Sequence, residues 1–166
     1  MVKIPDKKSN LIPLLQVLVL CVAALCMSAC GKKETQELYH RFPDRSWARF
    51  NLLSFELPVK KANTYDIHLF ACLDPGFQYE TLDFNMIMDT PAGEERIREY
   101  QLEVKSESGA FSIECSKDSC MGSIMLKKGI HIAKPGILKI EIENLTPRLN
   151  TEGVIGIGIR LVPAGK

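Results

Sequence analysis

The sequence predicts an all-β domain, an antiparallel β-sandwich of jelly-roll-like type preceded by a helical export signal, and three observations carry that expectation. Apolar and polar residues alternate with period two through much of the chain after residue 50, the mark of strands buried on one face. Turn-forming groups such as Asp74-Pro75-Gly76, Pro91-Ala92-Gly93 and Lys134-Pro135-Gly136 punctuate those segments. No sustained apolar stripe of helical period occurs after the first thirty residues. About seven to ten short antiparallel strands follow, with a closed barrel as the structural alternative. The outward positions lack the aromatic girdles of a lipid-facing barrel.

The elements follow in order. Lys3, Lys7 and Lys8 precede an apolar run from Leu11 to Leu25, and Met27-Ser28-Ala29 places small residues before Cys30. Charge, apolar core, small residues and cysteine in that order read as a lipoprotein signal with its lipobox, cleaved before Cys30. A transmembrane anchor is the competing reading, because Leu11 to Ala29 approaches the about 18 apolar residues a span needs. Pro13 and Gln16 interrupt the front of that run, and its far end is small rather than bulky. Both details favour cleavage, with lipid on Cys30. Each buried methylene of an attached acyl chain contributes roughly 0.8 kcal/mol, so several chains hold a protein to a bilayer durably. The expected organisation is residues 1–29 as signal, 30–37 as lipidated cysteine and tether, and 38–166 as one sandwich domain.

Within that domain Leu53, Phe55 and Leu57 share one face of the first clear strand, and Tyr65, Ile67, Leu69 and Ala71 share a face of the next. Leu82, Phe84, Met86 and Met88 alternate up to the Pro91-Ala92-Gly93 turn, which implies a hairpin with the segment carrying Tyr100, Leu102 and Val104. Phe111 and Ile113 lead to Cys115, and Ile124 and Leu126 follow Cys120. Leu138, Ile140 and Ile142 face one way while Lys139, Glu141 and Glu143 face the other, the pattern of a sheet with one wet side. In the last strand Ile155, Ile157, Ile159 and Leu161 are expected on one side, and Gly156, Gly158 and Arg160 on the other. Two glycines on one face imply that a backbone or an aromatic ring lies against them.

Charge excludes one class of partner. The chain has 21 Lys and Arg against 20 Asp and Glu, and cleavage removes Lys3, Lys7, Lys8 and Asp6, which leaves the remainder close to neutral. Nothing in it draws the chain to nucleic acid. Of six cysteines, Cys21 and Cys26 leave with the signal and Cys30 takes the lipid. Cys115 and Cys120 flank a polar hairpin tip, and an oxidising envelope allows them to pair or to remain two thiols. A metal there lacks further ligands, since His40, His68 and His131 stand at no ligand spacing from the pair.

Catalytic signatures are missing: no Gly-x-Ser-x-Gly elbow, no His-Glu-x-x-His and no phosphate loop. The expectation is therefore no enzyme, no cofactor, no metal and no catalytic residue. Asp44 and His40, and Asp66 and His68, are acid and histidine pairs by sequence proximity alone. Binding is better served by rings: Tyr39, Phe42, Trp47 and Phe50 fall close together, and Phe77 and Tyr79 follow the Asp74-Pro75-Gly76 turn. Exposed rings in sandwich loops grip sugars or proteins. The alternative for Trp47 is core packing.

The residues in order resemble a known family. After the lipobox come Tyr39, Phe42 and Trp47, then Ser54-Phe55-Glu56, Tyr65-Asp66-Ile67, and Tyr79 to Leu82 leading to Pro91-Ala92-Gly93. Tyr100-Gln101-Leu102, Gly109, Phe111, Pro135-Gly136, Glu141-Ile142-Glu143 and the stretch Glu152-Gly153-Val154 to Arg160 complete the set. In this order the chain from Cys30 resembles the gliding-motility lipoprotein H family, GldH-like. The resemblance implies an outer-membrane lipoprotein of the Bacteroidetes type that serves the motility machinery and its linked secretion apparatus through other envelope proteins, without catalytic residues. The Cys115 to Cys120 segment departs from the family pattern, where a more Gly- and Trp-rich stretch is expected. Gly31 in place of an Asp, followed by Lys32-Lys33 rather than an acidic tag, points to the periplasmic face of the outer membrane. The alternative is a glycan-binding surface lipoprotein in which Trp47, or the Phe77 and Tyr79 loop, stacks on sugar rings.

Overall fold

The computed structural model describes residues 35–164. The signal peptide, Cys30 and the start of the tether lie outside the described residues. Eleven strands form the body: β1 (Gln36–Arg41), β2 (Ser46–Ala48), β3 (Leu53–Val59), β4 (Asn63–Leu73), β5 (Thr81–Asp89), β6 (Glu95–Glu103), β7 (Glu114–Cys115), β8 (Cys120–Ile132), β9 (Gly136–Asn144), β10 (Asn150–Glu152) and β11 (Val154–Pro163). They pair antiparallel into a five-stranded sheet in the order β1-β11-β4-β8-β7, a four-stranded sheet in the order β3-β9-β5-β6, and a two-stranded ribbon of β2 and β10. Two separate sheets form, not the closed barrel. The domain starts earlier than residue 38, because Gln36 and Glu37 already pair with Leu161 and Arg160 in β1 and so do not belong to a free tether.

Alternation in the sequence becomes burial in the fold. β3 runs buried, exposed, buried along its length, and in β5 Leu82, Phe84, Met86 and Met88 all point inward. From β9 they meet Leu138, Ile140 and Ile142, and from the other sheet Ile67, Leu69, Ile157 and Ile159, all fully buried. Truncating any one of these to alanine costs roughly 2–5 kcal/mol. Side-chain bonds tie the open flanks of the two layers: the Tyr100 hydroxyl donates to the Leu126 carbonyl, and Gln36 Nε2 donates to the Pro58 carbonyl at 2.9 Å.

Bulges reset the pattern at two places. Between Val154 and Gly156 the register of β11 against β4 slips by one, so Val154 and then Ile157 point inward while Ile155 is only half-buried. Ile155 therefore does not share the core face with Ile157, as strict alternation predicts, because a single extra residue reverses every side chain beyond it. In β8 two shifts opposite Asp66 and Ile67 accommodate Gly129, whose φ of 62° lies in the left-handed region. Asp66 Oδ1 accepts the Gly129 N–H at 2.7 Å. That bond explains the carboxylate at position 66 without any pairing to His68.

The glycines of β11 behave as the sequence implies. A Cβ on Gly158 would lie 2.1 Å from Phe70 Cζ, and one on Gly156 would lie 2.2 Å from the Tyr39 hydroxyl oxygen and 2.6 Å from the His40 carbonyl oxygen. Tyr39 and Phe70 stack with centroids 5.8 Å apart over this bare strip, and the Arg160 guanidinium covers Phe70 at 5.4 Å while Arg160 Nε holds Glu37 at 2.7 Å. Burial and the neighbouring Cys72 thiol raise the Tyr39 pKa above its ordinary value. The outer face of the five-stranded sheet thus carries its own small ring cluster.

Candidate functional site

Strand directions gather Trp47, Phe77, Tyr79, Cys115 and Cys120 at one end of the sandwich. β1 and β4 finish there and β5, β8 and β11 begin there, which brings together the loops Phe42–Asn51, Asp74–Glu80 and Leu145–Gly153 and the β7–β8 hairpin. Backbone bonds lock these loops: Phe42 N–H to the Ile155 carbonyl at 2.9 Å, Asp74 N–H to the Gly153 carbonyl at 2.8 Å, and Gly153 N–H to the Arg45 carbonyl at 2.8 Å. Arg45 is the single non-glycine residue of positive φ among the described residues, at 50°. Its guanidinium meets Asp74 Oδ2 at 2.6 Å. The Gly76 N–H first, and then Arg45, hold the Asp74 carboxyl below its ordinary pKa.

Beneath the loops sits a buried polar knot that the alternation half announces. Asn144 continues the inward parity of Leu138, Ile140 and Ile142, so a polar amide enters the core with 1% exposure. Its Nδ2 donates to the Trp47 carbonyl and to Thr151 Oγ1, both at 2.9 Å, and its Oδ1 accepts the Thr146 N–H at 2.9 Å. Trp47 in turn donates its indole N–H to the Asn51 carbonyl at 3.0 Å. A buried amide with all of these bonds made fixes the β2–β10 ribbon against the sandwich. Asn144, Thr146 and Thr151 form the structural centre of this end, and an Asn at an inward strand position was the signal for it.

Two of the three aromatic candidates are not available to a ligand. Trp47 is 0% exposed and stacks on Phe42 at 6.0 Å, and Phe77 is 1% exposed with its ring edge-on to Tyr79 at 5.2 Å. Both belong to the core, because the ribbon and the Asp74–Phe77 turn fold over them. Tyr79 is half-buried at the lip of a shallow cleft of about 380 Å³ that Asp44, Arg45, Asp74, Gln78 and Arg148 also line. The Arg148 guanidinium lies over its ring at 5.5 Å.

The large apolar side chains that do face solvent at this end are others. Phe50 is 83% exposed, Leu149 71% and Leu52 46%. Cys115 and Cys120 stand directly opposite each other in the β7–β8 pairing and are joined as a disulfide, with Cα atoms 3.9 Å apart. Cys120 is buried and Cys115 exposed, and the Ser116 N–H to Ser119 carbonyl bond at 2.8 Å closes the tip. Cys72 is a free, half-buried thiol.

The remaining acid and histidine candidates do not come together as chemistry. His40 packs edge-on against Phe42 with centroids 4.9 Å apart, and Asp66 accepts the Gly129 N–H at 2.7 Å. Among the described residues no three His, Cys, Asp or Glu side chains converge as a metal-ligand set.

Comparison with known proteins adds a family. No curated protein matches the chain. Among solved structures, Eiger TNF from S. frugiperda is 11% identical with a TM-score of 0.37, over 67% of this chain and 65% of that one. A serine protease of Aeromonas sobria is 11% identical with a TM-score of 0.32, over 88% of this chain and 30% of that one. The chain thus spans just under two thirds of the first and less than a third of the second. Likenesses this distant say nothing of activity. A profile described as GldH lipoprotein, by contrast, matches residues 34–161, a span that takes in β1, most of β11 and both sheets. The chain belongs to the GldH lipoprotein family.

Proposed function

We propose that this lipoprotein is held by acyl chains on Cys30 to the periplasmic face of the outer membrane, where its sandwich serves as a non-enzymatic docking component of the gliding machinery or its linked secretion apparatus. Family membership already makes it a gliding-motility-associated lipoprotein with a membrane-anchored place in the envelope. The observation that carries the finer reading is where the match begins: at residue 34, four residues after Cys30, so that it covers almost all of the chain beyond that cysteine. Support for a docking role comes from the loop end, where two of the carboxylates are taken up by neighbouring side chains. Arg45 holds Asp74, and Glu152 Oε1 accepts from the Ser46 hydroxyl at 3.0 Å.

A glycan-binding role loses two of its three rings to the core, and nothing else in the cleft favours it. Deleting the gene and restoring it in trans tests the proposal. Delivery of proteins by the linked secretion apparatus, and spreading if the host glides, should fall on deletion and return with the wild-type chain but not with Cys30→Ala. A deletion strain with full secretion and spreading would overturn it.

A further inference from the structure

The outermost feature of the loop end is an apolar prominence. Phe50 follows Arg49, whose N–H donates to the Leu149 carbonyl at 2.9 Å, and Leu52 lies two residues further along the chain. Exposures of 83%, 71% and 46% on three large apolar side chains in one place are unusual for a surface with no partner. The backbone beneath them is rigid. The Asn51 N–H to Ala48 carbonyl bond at 3.0 Å closes the turn that carries Phe50, and the buried Trp47 indole pins the Asn51 carbonyl from below. A ring presented on a fixed turn loses little entropy on binding, the property of an interface anchor. Arginines flank it: neither Arg49 nor Arg148 meets a carboxylate among the described residues, and Arg148 rests on Tyr79. Aromatic residues and arginine are the types that dominate protein interfaces.

Geometry decides which partner this tip can reach. The described chain enters at Gln36, at the opposite end of the sandwich, because Gln36 pairs with Leu161 near the far end of β11. The nine residues of β9 alone separate the two ends by about 26 Å at ~3.3 Å per residue. From Cys30 to Gln36 the chain spans at most about 21 Å. A body anchored at Cys30 therefore cannot stand tip-down in its own bilayer. In a second copy the carboxylates Glu141, Glu143, Glu99 and Asp83 lie on the outer side of the four-stranded sheet, a polar face and not an apolar recess.

We infer that the Phe50, Leu52 and Leu149 tip is the docking surface for a different envelope protein, one that offers an apolar recess ringed by aspartate or glutamate to receive Phe50 and to pair Arg49 and Arg148. This rests on the docking role and the Cys30 anchor proposed above.

The test uses the full-length lipoprotein in its host envelope, with a photo-crosslinking phenylalanine analogue at position 50 and, as a second site, at Ile97 on the outer face of the four-stranded sheet. The position-50 probe should give one discrete adduct to another protein, with the linked peptide carrying carboxylates beside apolar residues. Arg49→Glu with Arg148→Glu should lower that yield about tenfold, the size of effect expected for lost interfacial charge pairs, while the melting temperature stays within a few degrees. Adducts to lipid, a self-dimer, or a yield indifferent to the charge reversal would each overturn the inference. A partner crosslinked from position 97 but not from position 50 would sink the tip and spare the docking role. No adduct from either site would count against both.

Discussion

Replacing Asn144 by alanine tests the polar knot that holds the loop end. The amide is 1% exposed and makes three bonds of 2.9 Å, to the Trp47 carbonyl, the Thr151 hydroxyl and the Thr146 N–H. Truncation leaves the first and last of these without that partner in a region closed to water, and each such orphan costs about 1–3 kcal/mol. A loss of roughly 3–5 kcal/mol follows, a large share of the about 5–15 kcal/mol that holds a domain of this kind together. In urea, with a slope of about 1–3 kcal/mol per molar, the unfolding midpoint should fall by about 1–5 M. Asn85→Ala is the internal control, because Asn85 Oδ1 has no partner to lose, and it should cost less than about 1 kcal/mol. Equal effects from the two substitutions, or a loss below about 1 kcal/mol for Asn144→Ala, would refute the assignment of Asn144 as the centre of this end.

Three further outcomes are expected. Gly158→Ala should destabilise by about 1–3 kcal/mol through collision with Phe70, and the penalty should shrink when Phe70→Ala is made with it, a non-additivity that a double-mutant cycle measures. Reducing the Cys115–Cys120 bridge, whose sulfurs close a loop of sequence separation 5, should remove about 2 kcal/mol of stability in a denaturant titration with and without reductant; an unchanged midpoint would mean the loop needs no clasp. The Asp74 carboxyl is held below its ordinary value of 3.8 by the Gly76 N–H and by Arg45. The folded state thus binds that proton less readily than the unfolded chain, and its contribution is complete above the ordinary value and lost as pH falls through the lowered one. Asp74→Asn should flatten the acid limb of a stability-versus-pH curve, and an identical acid limb in the variant would contradict the assignment.

How much of this was legible in the sequence depends on whether one residue's neighbours suffice to place it. Period-two alternation located β3, β4, β5 and β9 and their inward faces, because burial on one face leaves a local trace. The bare strip of Gly156 and Gly158 announced the rings over it for the same reason. The β2–β10 ribbon left no such trace: each strand has three residues, too few for a period, and they meet across a hundred positions of sequence. Core packing is the commoner fate of a single Trp in a small β-domain, but only the ribbon shows what covers Trp47, and Phe77 likewise depends on a turn that folds over it. The Val154 bulge reversed Ile155 through a pairing partner that alternation does not see. Exposure of Phe50 and Leu149 is also a tertiary fact. Their apolar character suggests burial, and only the fold shows that both project from the same rigid edge.

The proposed lipid anchor on Cys30 is a covalent claim, and intact-mass analysis of the protein extracted from its envelope tests it directly. The account predicts a chain that begins at Cys30 with its thiol and amine acylated, and an unprocessed, unlipidated precursor for Cys30→Ala. A wild-type chain that retains Met1 and carries no lipid would contradict it.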